Sequence, residues 1–189
     1  MTLSVLDNLA AQPSASRALE NYRVLAANYD ATCSRIEALR LFTVNALHLK
    51  PGETVFDVAC GTGPTLPLLA QVVGPNGRIV GVELSPEMAE LARQRVPKRA
   101  DLAHVTVVQS AMADLNFSPK ADAVLMCFAH DVLQSPASID RLLTESKPGA
   151  RIALVGMKTL PWWWGWPVNF FNLYRARRYL TTYSHMDCP

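Results

Sequence analysis

No Cys-x-x-Cys pair occurs in this 189-residue chain. Its four cysteines, Cys33, Cys60, Cys127 and Cys188, stand far apart, which offers neither zinc-ligand spacing nor a redox pair and fits free thiols in a reducing cytosol. No metal site is expected. A strong charge of one sign is also missing: the net charge of +2 argues against nucleic acid as a partner held by bulk electrostatics, which usually demands a concentrated basic face. No uncharged apolar run reaches the roughly 18 residues of a membrane span. The start Met1–Asp7 has no basic region leading into a sustained apolar core, so no secretory leader is expected and the reading is a soluble, cytoplasmic protein. Internal repeats and low-complexity segments are absent, and 50% hydrophobic residues suffice for the core of one domain spanning 1–189.

Two phosphate-binding signatures are missing at the most informative place in the chain. The apolar stretch Thr54–Ala59 reads as a strand, Gly61 and Gly63 as a sharp turn, and Pro64 with Leu66, Leu68, Leu69, Val72 and Val73 as the following helix. Leu66 stands where a dinucleotide fingerprint would place its third glycine, and no Gly-Lys-Ser/Thr follows, so nicotinamide and triphosphate readings lose support. Glu83 lies twenty residues beyond Gly63, at the end of the next strand. A carboxylate there accepts from the two hydroxyls of a ribose, whereas a glycine pair alone marks only a tight turn.

The run Val55–Gly63 resembles the first motif of class I S-adenosylmethionine-dependent methyltransferases. Other segments agree in order: Ile79–Met88 resembles the second motif, Val105–Phe117 the adenine-side segment, Ala121–His130 the fourth strand, and Lys147–Val155 the turn into the fifth. The resemblance covers roughly residues 50 to 157 and implies S-adenosyl-L-methionine as cofactor. Strands near 54–59, 79–83, 105–109, 122–127 and 151–156 alternate with helices near 64–73, 86–95 and 136–146, which predicts an α/β, doubly wound, Rossmann-like open parallel sheet. The order implied is 3-2-1-4-5, with helices on both faces.

In this resemblance Gly61 and Gly63 border the methionine part of the cofactor, Ala59 belongs to the same turn, and Asp57 sits at the acidic position near the amino group. Glu83 would hold the ribose, and Leu84 and Met88 would pack on the adenine or simply belong to the core. Where many members carry Gly-Asp-Ala, this chain has Ser110-Ala111-Met112. Adenine recognition must then rest on backbone near Ala111 and Met112, or on Ser110, and Asp114 is read as capping a turn. Phe128-Ala129-His130-Asp131 follows the fourth strand, beside the point where strand order reverses. His130 is the candidate general base or substrate contact, because its ordinary pKa lies near neutrality, and a structural histidine is the competing reading. No Asp/Asn-Pro-Pro-Tyr/Phe stands there, against a DNA-modifying member.

Ahead of the core, Ser16–Asn28 and Thr32–Leu47 read as helices, after a polar lead of about fifteen residues. The segment Asn21–Asp30 resembles the Y-x-x-x-A-x-x-Y-D lead of small-molecule, lipid and quinone methyltransferases, where it folds over the cofactor. Tyr22 and Tyr29 would then close the pocket, or pack a helix on the core. The division expected is a helical lid at 1–47, a cofactor-binding core at 48–158 and a Trp-rich tail at 159–189. All four tryptophans fall within Trp162–Trp166, followed by Phe170, Phe171 and the basic run Arg175–Arg178. They could pack under the sheet edge, wall the substrate pocket, or form a peripheral foot on a membrane.

The functional expectation is methyl transfer to a small aromatic or lipophilic acceptor. A non-catalytic scaffold of the same fold is the alternative, supported by the altered third motif, and aminopropyl transfer lacks the acidic run suited to a polyamine. Strands six and seven of the family are expected to be absent. The fifth strand would then present an apolar edge, to be covered by the tail, by a second copy in a homodimer or by further chain.

Overall fold

The computed structural model describes residues 13–33, 36–96 and 102–182. Five strands, β1 (Thr54–Val58), β2 (Arg78–Glu83), β3 (His104–Gln109), β4 (Ala121–Cys127) and β5 (Ser146–Val155), form one parallel sheet in the order 3-2-1-4-5. The expected topology is therefore present. Helices fall in chain order as α1 (Ala15–Leu25), α2 (Tyr29–Cys33), α3 (Glu37–Ala46), α4 (Leu66–Val73), α5 (Pro86–Arg95), α6 (His130–Leu133), α7 (Pro136–Thr144) and α8 (Trp162–Ala176). The single helix read over Thr32–Leu47 is corrected: its described residues belong to two helices, α2 and α3. The polar lead lies outside the described residues except for its last positions.

The central strands β1, β2 and β4 are buried on both faces because their side chains alternate between two helical layers. Val55, Ile79, Ala123 and Leu125 pack beneath Val44, Leu66, Leu69, Ala70 and Ala92 of α3, α4 and α5. On the opposite face Phe56, Val58, Val80, Val124 and Met126 meet Met112, Leu115 and Leu142 of α7 and the turn before β4. Ser85 caps α5 by accepting from Met88 N at 3.3 Å, with Pro86 opening the helix as its sequence suggests.

β5 begins earlier than expected. Pro148-Gly149, read as a turn, is absorbed as a bulge: Ala121 pairs with Ser146 and Ala123 with Arg151, while Gly149 takes φ +80. At this edge Ile152 and Leu154 keep exposed side chains.

The tail is helical in spite of Gly165 and Pro167. Gly165 is needed because a Cβ there would come within 2.4 Å of Leu160 Cβ. Asn169 closes the fold-back, its amide donating to Leu160 O and its carbonyl accepting from Leu160 N, both at 2.8 Å. The buried face of α8 is thus small and polar at Gly165 and Asn169, so the tryptophans turn outward. Trp163 is 84% exposed and the other three are more than half exposed, which overturns the reading that they pack under the sheet edge.

Candidate functional site

Parallel strands all deliver their carboxyl ends to one side of the sheet, and the strand order reverses there at β1, which pairs with β2 on one side and with β4 on the other. A cleft opens at that edge. It is floored by the ends of β1, β2, β3 and β4 and roofed by α1, α2 and the turn following α8.

Ala59 and Phe128 end β1 and β4 with φ +56 and +60, in the left-handed region that non-glycine residues rarely occupy. Such a conformation costs about 1–2 kcal/mol, and both residues line the cleft. Between them the turn through Gly61 (φ +58) aims a backbone N–H at Glu83. Glu83 accepts from Gly61 N and from Ser85 N, each at 2.9 Å, one bond to each carboxylate oxygen. Burial raises its pKa, while these N–H groups oppose that shift. The carboxylate is fixed in orientation and still has acceptor capacity to offer a ligand.

Of the residues expected at the site, Tyr22, Tyr29, Ala59, Gly61, Glu83, Leu84, Met88, Met112, Phe128 and His130 all line the cleft. Asp57, Gly63 and Ala111 do not. Asp57 shares the β1 face that carries Val55, beneath α4, where it is buried and accepts from the Thr65 hydroxyl. Burial lifts its pKa to about 7, against the opposing effects of Thr65 and Arg40. Gly63 has a packing reason for being glycine: a Cβ would lie 2.7 Å from Leu66 Cδ1 and 3.0 Å from Ala92 Cβ, where α4 meets α5. At Gly61 the nearest atom to such a Cβ is Tyr29 Cε1 at 3.8 Å, so that turn is open toward the roof. Ser110 lines the cleft and donates to Ala111 O at 2.8 Å, which leaves its oxygen as an acceptor. Asp114 lies exposed on the turn Met112–Asp114.

The roof is tied down by polar contacts across the chain. Asp30 accepts from the Thr62 hydroxyl at 2.5 Å and pairs with Arg95, so the segment after Tyr29 is pinned to the glycine turn and to α5. Tyr22 donates to Tyr179 O at 3.3 Å, and Tyr29 stands edge-on to both Tyr22 and Tyr179, with ring centres 6.2 and 6.0 Å apart. Burial, followed by Glu83 and Asp131, pushes the Tyr22 hydroxyl up, so it remains a donor. Asp131 accepts from Thr181 Oγ at 2.6 Å and from Thr181 N, and Thr181 Oγ in turn accepts from Ser14 N at 3.0 Å.

Tyr179, Leu180 and Asp131 were missed as site residues. The first two follow the tryptophans by more than ten positions and carry no local signal; Asp131 stood inside the quoted Phe128–Asp131 segment. None of the four tryptophans lines the cleft, so the pocket-wall reading passes from them to Tyr179 and Leu180. His130 faces the cleft with Nε2 2.6 Å from the Gln134 side-chain amide. Burial raises the thiols of Cys60 and Cys127, which makes neither a ready nucleophile.

A parallel 3-2-1-4-5 sheet with a buried carboxylate at the end of β2 is the architecture of an open α/β domain with its cleft at the strand ends. The family described as "Methyltransferase domain" matches residues 55–149, just over half of the chain. The protein belongs to the class I S-adenosylmethionine-dependent methyltransferases. A demethylmenaquinone methyltransferase from Symbiobacterium thermophilum is 34% identical over 142 residues, covering 70% of this chain and 55% of that one. A 2-phytyl-1,4-naphtoquinone methyltransferase from Trichormus variabilis is 33% identical over 108 residues, covering 56% and 47%. The chain thus spans about half the length of these curated relatives. A crystal structure of a SAM-dependent methyltransferase from Aquifex aeolicus superposes with a TM-score of 0.57 at 29% identity, covering 65% of each chain.

Proposed function

We propose that this chain binds S-adenosylmethionine in the cleft and transfers its methyl group to a small, lipophilic aromatic acceptor. The observation that carries the reading is Glu83, buried at the end of β2 and held by two backbone N–H groups with acceptor capacity left for ribose hydroxyls. When bound, the cofactor supplies an electrophilic methyl on a sulfonium. Gly61 leaves room beside the turn, Met88 and Met112 offer apolar faces for a purine, and Ser110 offers an acceptor in place of the carboxylate its motif lacks. The three-tyrosine roof would shield the cleft and help orient an acceptor against the cofactor, and such positioning can supply about 7–11 kcal/mol of a barrier.

Leu19, Tyr22, Phe128, Val132 and Leu180 give the cleft an apolar lining, beside the polar groups of His130 and Asp131. That lining suits an aromatic ring bearing one hydroxyl, whose proton His130 would take. The relatives named as demethylmenaquinone and 2-phytyl-1,4-naphtoquinone methyltransferases support the same acceptor class. Calorimetry with S-adenosylhomocysteine, followed by methyl transfer from labelled cofactor to reduced naphthoquinones of graded chain length, tests the proposal. Cofactor binding with no transfer to any of them would favour the scaffold reading, which the altered Ser110-Ala111-Met112 segment supports.

A further inference from the structure

The outward face of α8 has no role in the cleft, and its composition specifies a partner. Gly165, Asn169 and Ala176 are buried on one side of the helix, with Leu173 against Met157 and Leu180. On the opposite side Trp163, Phe170 and Tyr174, spaced seven and four apart, form one stripe with Trp166, and every one of them is more than half exposed. Single exposed apolar side chains are ordinary, but a contiguous aromatic stripe marks an interaction surface.

Charge decides which kind. From Ser146 to Thr182 the chain contains Lys147, Arg151, Lys158, Arg175, Arg177 and Arg178 and not one Asp or Glu. The arginines cluster at the end of the helix, and two of them lie over its aromatics: Arg177 sits 4.0 Å from the Tyr174 ring centre and Arg175 5.6 Å from that of Phe171. An arginine in that position keeps its guanidinium beside the rings, level with an anionic headgroup when the rings are immersed. At 15 residues α8 is about 22 Å long, too short for the roughly 30 Å hydrocarbon core, and no helix among the described residues is long and apolar enough to cross a membrane.

We propose that α8 lies in the plane of an anionic lipid bilayer, with Trp163, Trp166, Phe170 and Tyr174 immersed at the interface and Arg175, Arg177 and Arg178 on lipid phosphates. The helix runs directly into Tyr179 and Leu180, whose backbone N–H groups bond to Ala176 O at 2.8 and 3.0 Å and whose side chains wall the cleft. Docking therefore sets one wall of the cleft against the surface where lipophilic molecules concentrate. The lipid contact itself stands apart from the cofactor reading, since it uses none of the residues around Glu83.

Vesicle cosedimentation of the full 189-residue chain tests it, using phosphatidylcholine alone and an equal mixture with phosphatidylglycerol. Binding is expected to the mixed vesicles, weakened by salt. Arg175→Glu/Arg178→Glu should lose at least about fivefold per arginine, and Trp163→Ser/Phe170→Ser about tenfold or more, with S-adenosylhomocysteine affinity unchanged in both. Glu83→Gln should bind vesicles as well as the parent, which separates failure of the cofactor reading from failure of this one. A parent chain that stays in the supernatant, or partitions equally into neutral and anionic vesicles, overturns the proposal. So does self-association that Trp163→Ser/Phe170→Ser abolishes without any vesicle binding, because the stripe would then be a face between copies.

Discussion

Replacing Glu83 by glutamine keeps the size of the side chain and removes its charge, and two separable losses should follow. Gly61 N and Ser85 N both donate to this carboxylate at 2.9 Å, whereas a glutamine has one oxygen and must turn its NH2 toward one of those donors. A buried N–H left without an acceptor costs about 1–3 kcal/mol, read as a lower urea midpoint of the unliganded protein. The second loss appears only with ligand. A hydrogen bond to a charged acceptor is worth about 1.5–3 kcal/mol against about 0.5–1.5 for a neutral one, so two ribose hydroxyls together lose about 2–3 kcal/mol. That corresponds to about 30- to 150-fold in the dissociation constant of S-adenosylhomocysteine, measured by calorimetry. Burial raises the Glu83 pKa, so affinity in the parent should also fall as the pH is lowered through it, and the glutamine variant should lack that dependence. A dissociation constant within about twofold of the parent would refute the assignment of this carboxylate to the ribose.

Asp57 should give stability a pH dependence of unusual sign. Its native pKa is raised to about 7 from an ordinary 3.8, so the native state holds a proton that the unfolded chain has released. The stabilisation is complete below about 4 and is lost as pH rises to 7, so urea midpoints should fall across that window and Asp57→Asn should flatten the profile. Asp30, Glu53 and Asp122, whose pKa values are lowered, act in the opposite sense and mainly below pH 4. Gly63→Ala should cost about 1–3 kcal/mol through its positive φ and its contact with α4 and α5, seen as a lower midpoint. Asp131→Ala should release Thr181, speeding hydrogen exchange over residues 177–182 and raising the acceptor KM more than it weakens the cofactor. His130→Ala should lower turnover with cofactor affinity nearly intact, and undiminished turnover would leave His130 a structural role.

The succession of strands and helices, the glycine turn and the placement of Glu83 were legible because each depends on short-range chemistry, while the sheet order 3-2-1-4-5 came from the resemblance. Periodicity of apolar residues marks a strand or helix within a few positions, Ser85-Pro86 opens a helix wherever it stands, and parallel strands joined by helices admit few topologies. The resemblance to the methyltransferases rests on those same local segments, which is why it located the floor of the cleft.

What only the tertiary structure decided involves contacts between residues distant in sequence. Whether Asp57 meets the cleft or the underside of α4 follows from which face of β1 its side chain takes, and Gly63 proved indispensable to the meeting of α4 with α5 rather than to the cleft lining. The roof needed Tyr22 to reach Tyr179, 157 positions away, and Ser14 to reach Thr181, 167 away. The outward turn of the tryptophans followed from Gly165 and Asn169 claiming the buried side of α8. Composition cannot report such choices, because a tryptophan contributes the same apolar surface to a sequence whether the fold buries it or leaves it to face a partner.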